Sequence, residues 1–282
     1  MGIAHNSLEL PLFLIGGLII GSFLNTVIYR LPLILNYEVK PNSFKKFNLA
    51  YPSSHCPKCE SKIPFYLNIP LLAFLLLRGK CFKCKERISF QYPLVELITG
   101  AVFIWIAFNS FDLTQSLFLC FFLSSLIVLS VIDLRFKLVP NSISLSLIGL
   151  ALLYNFFVKP DFFMNSVLGA FIGFSFFYLI EKIYKLLRNE DGLGRGDAKV
   201  FSSMGALMGW QSLPYILLAS TLLALLSTLF CEAFPFFWNV IFSINCFNRT
   251  NIHTSSIFNI NARFCNYVSH IKHSMFGLLT GE

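Results

Sequence analysis

The segment LTQSLFLCFFLSSLIVLSVI, from Leu113 to Ile132, holds 20 residues without a charge and ends on Asp133, followed by Leu134-Arg135-Phe136-Lys137. An α-helix needs about 20 predominantly apolar residues to cross the hydrocarbon of a bilayer. Asp133 therefore falls where a membrane-spanning helix meets a basic loop. A second aspartate has the reverse placement. Gly194-Arg195-Gly196-Asp197-Ala198-Lys199 stands directly before 32 residues without a charge, Val200 to Cys231. Two carboxylates at one membrane surface are a candidate hydrolytic pair.

Comparable runs recur along the chain. Leu10 to Tyr29 gives 20 uncharged residues, Leu138 to Val158 gives 21 and Phe162 to Ile180 gives 19. Leu97 to Phe111 is shorter, but Tyr92-Pro93-Leu94-Val95 precedes it, so a helix starting near Pro93 crosses with Glu96 close to the interface. Leu213 to Cys231 reads as a clear helix and Ala198 to Trp210 as a short one containing glycine. The uncharged, aromatic run Ala233 to Cys246 supplies a short eighth helix or an interfacial one. The expectation is an all-α polytopic membrane protein, a bundle of about seven or eight transmembrane helices.

Composition agrees. Hydrophobic residues make up 56% of the 282 and charged residues 13%, about half the charged share of a soluble domain. That excludes an ordinary soluble globular domain, because so few charges cannot cover so much apolar surface. The net charge of +8 is concentrated in particular loops, so it points to membrane topology and to no nucleic-acid partner. Arg30, Lys40, Lys45 and Lys46 follow the first span, Arg135 and Lys137 the third, and Lys182, Lys185, Arg188, Arg195 and Lys199 the fifth. The alternate loops, with Asp112 and Asp161, carry little positive charge. The bias puts those three basic loops, and both featured aspartates, in the cytoplasm. Met1 to Arg30 lacks a basic start and a small-residue cleavage pattern, so it is expected to remain as the first span.

The first basic loop carries different chemistry. Cys56-Pro57-Lys58-Cys59 and Cys81-Phe82-Lys83-Cys84 are CxxC units separated by 21 residues, a spacing that suits four thiolates around one structural zinc. Two redox dithiols are the alternative; a cytoplasmic setting and the absence of a thioredoxin-like context weigh against it. His55 reads as an ordinary neighbour, since four cysteines fill a tetrahedral shell. Between the pairs, the uncharged stretch Phe65 to Leu77 spans 13 residues, too short to cross. It lies in the interface or caps the metal module.

Aspartic proteolysis needs two carboxylates sharing a proton: the charged one takes a proton from water while the protonated one donates to the scissile carbonyl. Titration then belongs to the pair, and a bell-shaped pH profile follows. Gly194 and Gly196 would permit close approach to a substrate chain, with Lys199 two residues past Asp197. The plainer reading is that each aspartate ends a helix or balances Arg135, Lys137, Arg195 or Lys199.

Several motifs in order resemble the bacterial type IV prepilin leader peptidase/N-methyltransferase family, of the GxGD class of membrane aspartyl proteases. They are Gly21-Ser22-Phe23-Leu24-Asn25 with Val27-Ile28-Tyr29-Arg30-Leu31-Pro32, the two CxxC pairs, Arg78-Gly79-Lys80-Cys81, Tyr92-Pro93-Leu94-Val95-Glu96, Asp133, and Gly194 to Lys199 with Gly205-Ala206 and Gly209-Trp210. The resemblance implies an inner-membrane enzyme that cuts the basic leader from type IV prepilins and type II secretion pseudopilins after a glycine, on the cytoplasmic side. It further implies methylation of the new N-terminus by S-adenosylmethionine, a donor that enters by resemblance alone. Asp133 and Asp197 would be catalytic, with Gly194, Gly196, Lys199 and Asn25 in support, and Cys56, Cys59, Cys81 and Cys84 would hold zinc. The implied organisation is a first span over 1–30, a cytoplasmic zinc-binding loop over 31–91, a protease domain over 92–245 and an atypical polar tail over 246–282. Glu96, Glu190 and Asp191 are acidic candidates for meeting a basic leader.

Two departures stand out. Asn141 follows Pro140 where family members often carry an aspartate, and the tail lacks the family's final hydrophobic helix, with only Met275-Phe276-Gly277-Leu278-Leu279 echoing it. A noncatalytic pilus or secretion assembly factor, or a transporter, are the competing classes. Neither accounts for the CxxC pairs together with the aspartates.

Overall fold

The computed structural model describes residues 9–35, 48–49, 51, 53–56, 59, 61–64, 69–109, 112–136, 138–188 and 195–233. Charge-free runs become helices there because a backbone in lipid must satisfy its own hydrogen bonds. The order is α1 (Glu9–Ile34), α2 (Leu72–Leu76), α3 (Gln91–Asn109), α4 (Leu113–Phe136), α5 (Asn141–Val158), α6 (Phe163–Arg188), α7 (Arg195–Met208) and α8 (Leu213–Ala233). Local chemistry sets several starts. The Asp112 carbonyl accepts the Ser116 N–H at 3.0 Å and its side chain accepts that of Gln115, capping α4. Pro140 stands just before α5, and a 3-10 turn from Pro160 leads into α6.

Five segments are long and apolar enough to cross a membrane: α1, α3, α4, α5, and α6 with its preceding turn. Gly196–Met208 and Trp210–Leu226 pass as a pair bent by 120°, a broken span or a re-entrant loop. The break falls at Gly209, whose φ is +80°, followed by the 3-10 turn Trp210–Ser212. The described residues therefore hold five candidate spans, or up to six with the bent pair, where the uncharged runs suggest seven by residue 231. The reason is length. α7 has 14 residues and reaches only about 21 Å, short of the roughly 30 Å of hydrocarbon. The expected eighth helix and the polar tail lie outside the described residues.

The chain divides into a compact unit Met1–Leu223 and a unit Ala224–Glu282. The described residues of the second are the last turns of α8. Within the first, the broadest helix contacts are α6 with α7 and α1 with α3, followed by α5 with α7; α4 touches α1, α3 and α5. One core cluster joins α1, α3 and α4 through Leu24, Ile28, Val95, Val128 and Ile132. Another joins α4, α5 and α7 through Phe122, Leu129, Leu147, Ala151 and Ala206. α4 is thus the wall common to both. Outside, Leu117, Phe121, Phe157, Phe171 and Leu179 stand exposed, apolar surface that lipid accepts and water does not.

Candidate active site and cysteine cluster

Asp133 lies in the last turn of α4 and Asp197 in the first turn of α7, so the fold delivers both carboxylates on helix ends. Their approach depends on Gly196. A Cβ there would sit 2.6 Å from both Cβ and Cγ2 of Val139, in the short α4–α5 connection. Only a residue without a side chain lets α7 start against that connection, six positions after Asp133. The two aspartates are near enough for the Asp133 charge to act on Asp197. Asp133 is half-buried and Asp197 exposed. Lys199, one turn into α7, donates from Nζ to the Asn141 side-chain oxygen at the start of α5. Gly194, Glu190 and Asp191 lie outside the described residues.

Asn25 is elsewhere. It is buried in the α1–α3 seam, donating Nδ2 to the Tyr92 carbonyl at 3.0 Å, and its Oδ1 has no partner. The seam is narrow because a Cβ on Gly21 would fall 2.8 Å from the Glu96 Cα. Glu96 itself is buried, its Oε2 accepting the Leu71 N–H at 2.8 Å. It is therefore committed to holding the loop between the cysteine pairs, and offers no open surface to a basic leader. Arg30, also buried, donates to the carbonyls of Asn48 and Leu49 at 3.2 and 3.0 Å and ties down the segment before the first cysteine pair.

Sequence reasoning missed Asn155. Its Nδ2 faces Ser166 Oγ at 2.8 Å, the Ala206 carbonyl at 3.0 Å and the Leu207 carbonyl at 3.2 Å. It links α5 and α6 to the end of α7, next to the break. The signal was present: an amide this deep in the uncharged run Leu138 to Val158 has to find partners.

The cysteines sit on two equivalent knuckles. In the first, Cys56 N–H donates to the Ser61 carbonyl and Ile63 N–H to that of Ser54, at 3.0 and 2.8 Å. In the second, Cys81 N–H donates to Glu86 and Ile88 N–H to Gly79, both at 2.7 Å. Each of these positions is 25 residues from its counterpart, and the bridge His55 with Lys62 recurs as Lys80 with Arg87. SHCPKCESKI (54–63) and GKCFKCKERI (79–88) are thus two copies of one turn. The four sulfurs lie within 4.8 Å of one another, with Cys56 and Cys84 3.9 Å apart. Tetrahedral zinc with bonds of about 2.3 Å sets sulfurs about 3.8 Å apart, so the donor set fits. The Ser61 hydroxyl, 3.0 Å from Cys59 Sγ, and then the Ser61 N–H hold that thiol at about 6, below the usual range. His55 points its Nδ1 at the Ser53 carbonyl, 2.9 Å away.

Comparison with known proteins places this geometry. Residues 15–110 match the bacterial peptidase A24 N-terminal domain, and residues 120–229 match the type IV leader peptidase family. The chain belongs to the type IV leader peptidase family. It is 38% identical over 234 residues to the prepilin leader peptidase/N-methyltransferase of Neisseria gonorrhoeae, covering 78% of this chain and 81% of that one. The Pectobacterium carotovorum subsp. carotovorum protein of the same description is 37% identical over 227 residues, covering 76% and 80%. That of Klebsiella pneumoniae is 37% identical over 207, covering 73% and 88%. No solved structure matches. In this leader peptidase family member the cysteines fall in the first matched segment and both aspartates in the second, with the boundary at the start of α4.

Proposed function

We propose that this chain is a cytoplasm-facing inner-membrane aspartic endopeptidase that removes the leader from prepilins and pseudopilins, then methylates the new N-terminus with S-adenosylmethionine. The observation that carries the reading is the pair Asp133 and Asp197, presented at helix ends with the Asp133 charge acting on Asp197 and with Asp197 exposed. One carboxylate takes a proton from the attacking water and the other donates to the scissile carbonyl oxygen; the proton then passes to the leaving nitrogen. Gly196 sets the approach of the two elements. Lys199, two residues past Asp197, is held by the Asn141 side chain at the start of α5. Asn25 acts at a distance, fixing α1 against the first turn of α3, and supports the site as a positioning residue.

In this reading residues 31–91 form the zinc-bearing loop that serves methyl transfer, 92–245 the protease domain, 1–30 the first span and 246–282 the tail. When bound, zinc supplies a tetrahedral cross-link between the two knuckles through Cys56, Cys59, Cys81 and Cys84. The separation of cysteines and aspartates into the two matched segments supports the division of labour. Purified protein reconstituted in membranes is to be incubated with a prepilin and S-adenosylmethionine, and the product read by intact mass and N-terminal sequencing. A shortened, N-methylated product from the wild type, absent from Asp133→Asn and Asp197→Asn, is the expected result. An uncut prepilin from folded wild-type protein would overturn it and favour a noncatalytic assembly factor.

A further inference from the structure

The helix α2 is five residues of unbroken apolar sequence, Leu72-Ala73-Phe74-Leu75-Leu76, in a loop otherwise rich in charge. Its inward side is accounted for. Phe74 meets Phe90 edge-on with ring centroids 6.1 Å apart, and its ring lies 3.1 Å from where a Cβ on Gly79 would stand. Its outward side has no protein against it among the described residues. Leu72, Leu75 and Leu76, spaced as one helical face, are 53%, 68% and 75% exposed.

Two observations say what lies against that face. The first is depth. The N–H of Leu71, immediately before α2, is bonded to Glu96, five residues into the membrane-spanning α3. At about 1.5 Å per residue this bond lies about 7.5 Å past the start of that helix. Glu96 is flanked on α3 by Leu94, Leu97 and Ile98, exposed on the outside of the bundle. A loop backbone tied at that level sits at the boundary of headgroups and acyl chains, the depth at which amphipathic segments bury their apolar side. The second is charge. Arg78, Lys80, Lys83 and Lys85 follow α2 directly and are all exposed, a basic rim suited to lipid phosphates.

We propose that α2 is an interfacial wedge: Leu72, Leu75 and Leu76 enter the acyl region of the chain's own membrane while Arg78 and the following lysines hold anionic headgroups. The wedge rides on the Glu96 bond and fixes the height of the cysteine knuckles above the bilayer. It stands whether or not the chain cleaves or methylates a pilin.

The test is Leu76→Trp in the full chain, reconstituted in phosphatidylethanolamine and phosphatidylglycerol vesicles whose acyl chains carry bromine near the headgroup or near the bilayer centre. The parent protein, with Trp105, Trp210 and Trp238, gives the background to subtract. The added emission is expected to be blue-shifted and to fall roughly twofold with shallow bromines, and less with deep ones. Replacing phosphatidylglycerol by phosphatidylcholine should weaken that quenching. Leu75→Trp, on the same face, repeats the measurement if the first variant does not insert. Red-shifted, unquenched emission would overturn the proposal, as would an emission that ignores brominated lipid and shifts only when a prepilin is added, which would assign the face to substrate.

Discussion

The cysteine knuckles and the aspartate pair gather their reactive groups in different ways. Each knuckle closes its backbone hydrogen bonds within ten residues, and the second is a copy of the first. Asp133 and Asp197 stand 64 positions apart and come within range of one another's elements because α7 starts against Val139. The cysteine site is consequently a local object, four sulfurs placed to hold one metal ion, with little core of its own. The aspartate site is a property of the packed bundle. Substitutions should sort accordingly.

The largest effect tests the bundle site directly. Asp133→Asn or Asp197→Asn should lower cleavage by at least about a thousandfold, on the order of 4 kcal/mol of barrier, while a pre-cut pilin is still methylated. In the wild type, cleavage should follow a bell-shaped pH profile whose two limbs belong to the pair. Loss of methylation in parallel would break the separation of the two regions.

Next comes Gly196→Ala. Its new methyl would overlap Val139, and overpacking of this kind costs about 1–3 kcal/mol. Cleavage should fall by roughly tenfold to a hundredfold, with metal content unchanged and with partial recovery when Val139→Gly removes both clashing atoms. A cleavage rate equal to wild type would show that the close approach is dispensable.

The metal side should respond the other way. Purified protein should carry one zinc per chain by elemental analysis, and Cys59→Ser or chelation should reduce methyl transfer about tenfold while cleavage changes less. Equal loss of both activities at normal membrane levels would sink the division. A smaller effect is expected from Asn25→Ala. Losing the bond to the Tyr92 carbonyl should destabilise the α1–α3 seam by about 1 kcal/mol, read as a lower melting temperature in detergent.

Much of this was open to reading in the chain. Long charge-free runs mark α1, α4, α5 and α6 because lipid tolerates little else, and CxxC spacing announces the cluster because four thiolates need two tight turns. The crossing count was harder. Val200 to Cys231 is uncharged throughout, so hydropathy cannot see the 120° break. The closeness of the aspartates was out of reach too, since it rests on a contact between Gly196 and Val139 that no local pattern encodes. Asn155 went unnoticed for a similar reason: its partners include two backbone carbonyls more than 50 positions away.

The shared wall α4 also implies an order of assembly. Leu24, Ile28, Val95, Val128 and Ile132 have all been synthesised once α4 is complete. The ribosome therefore delivers every buried residue of the N-terminal cluster before α5 to α7 exist, and Ile143 of α5 packs against it afterwards. The later helices then dock on α4, and Asp197 comes into range of Asp133 only when α7 arrives. A chain interrupted between α4 and α7 would carry Asp133 without Asp197 and leave the α4 face made by Phe122 and Leu129 uncovered.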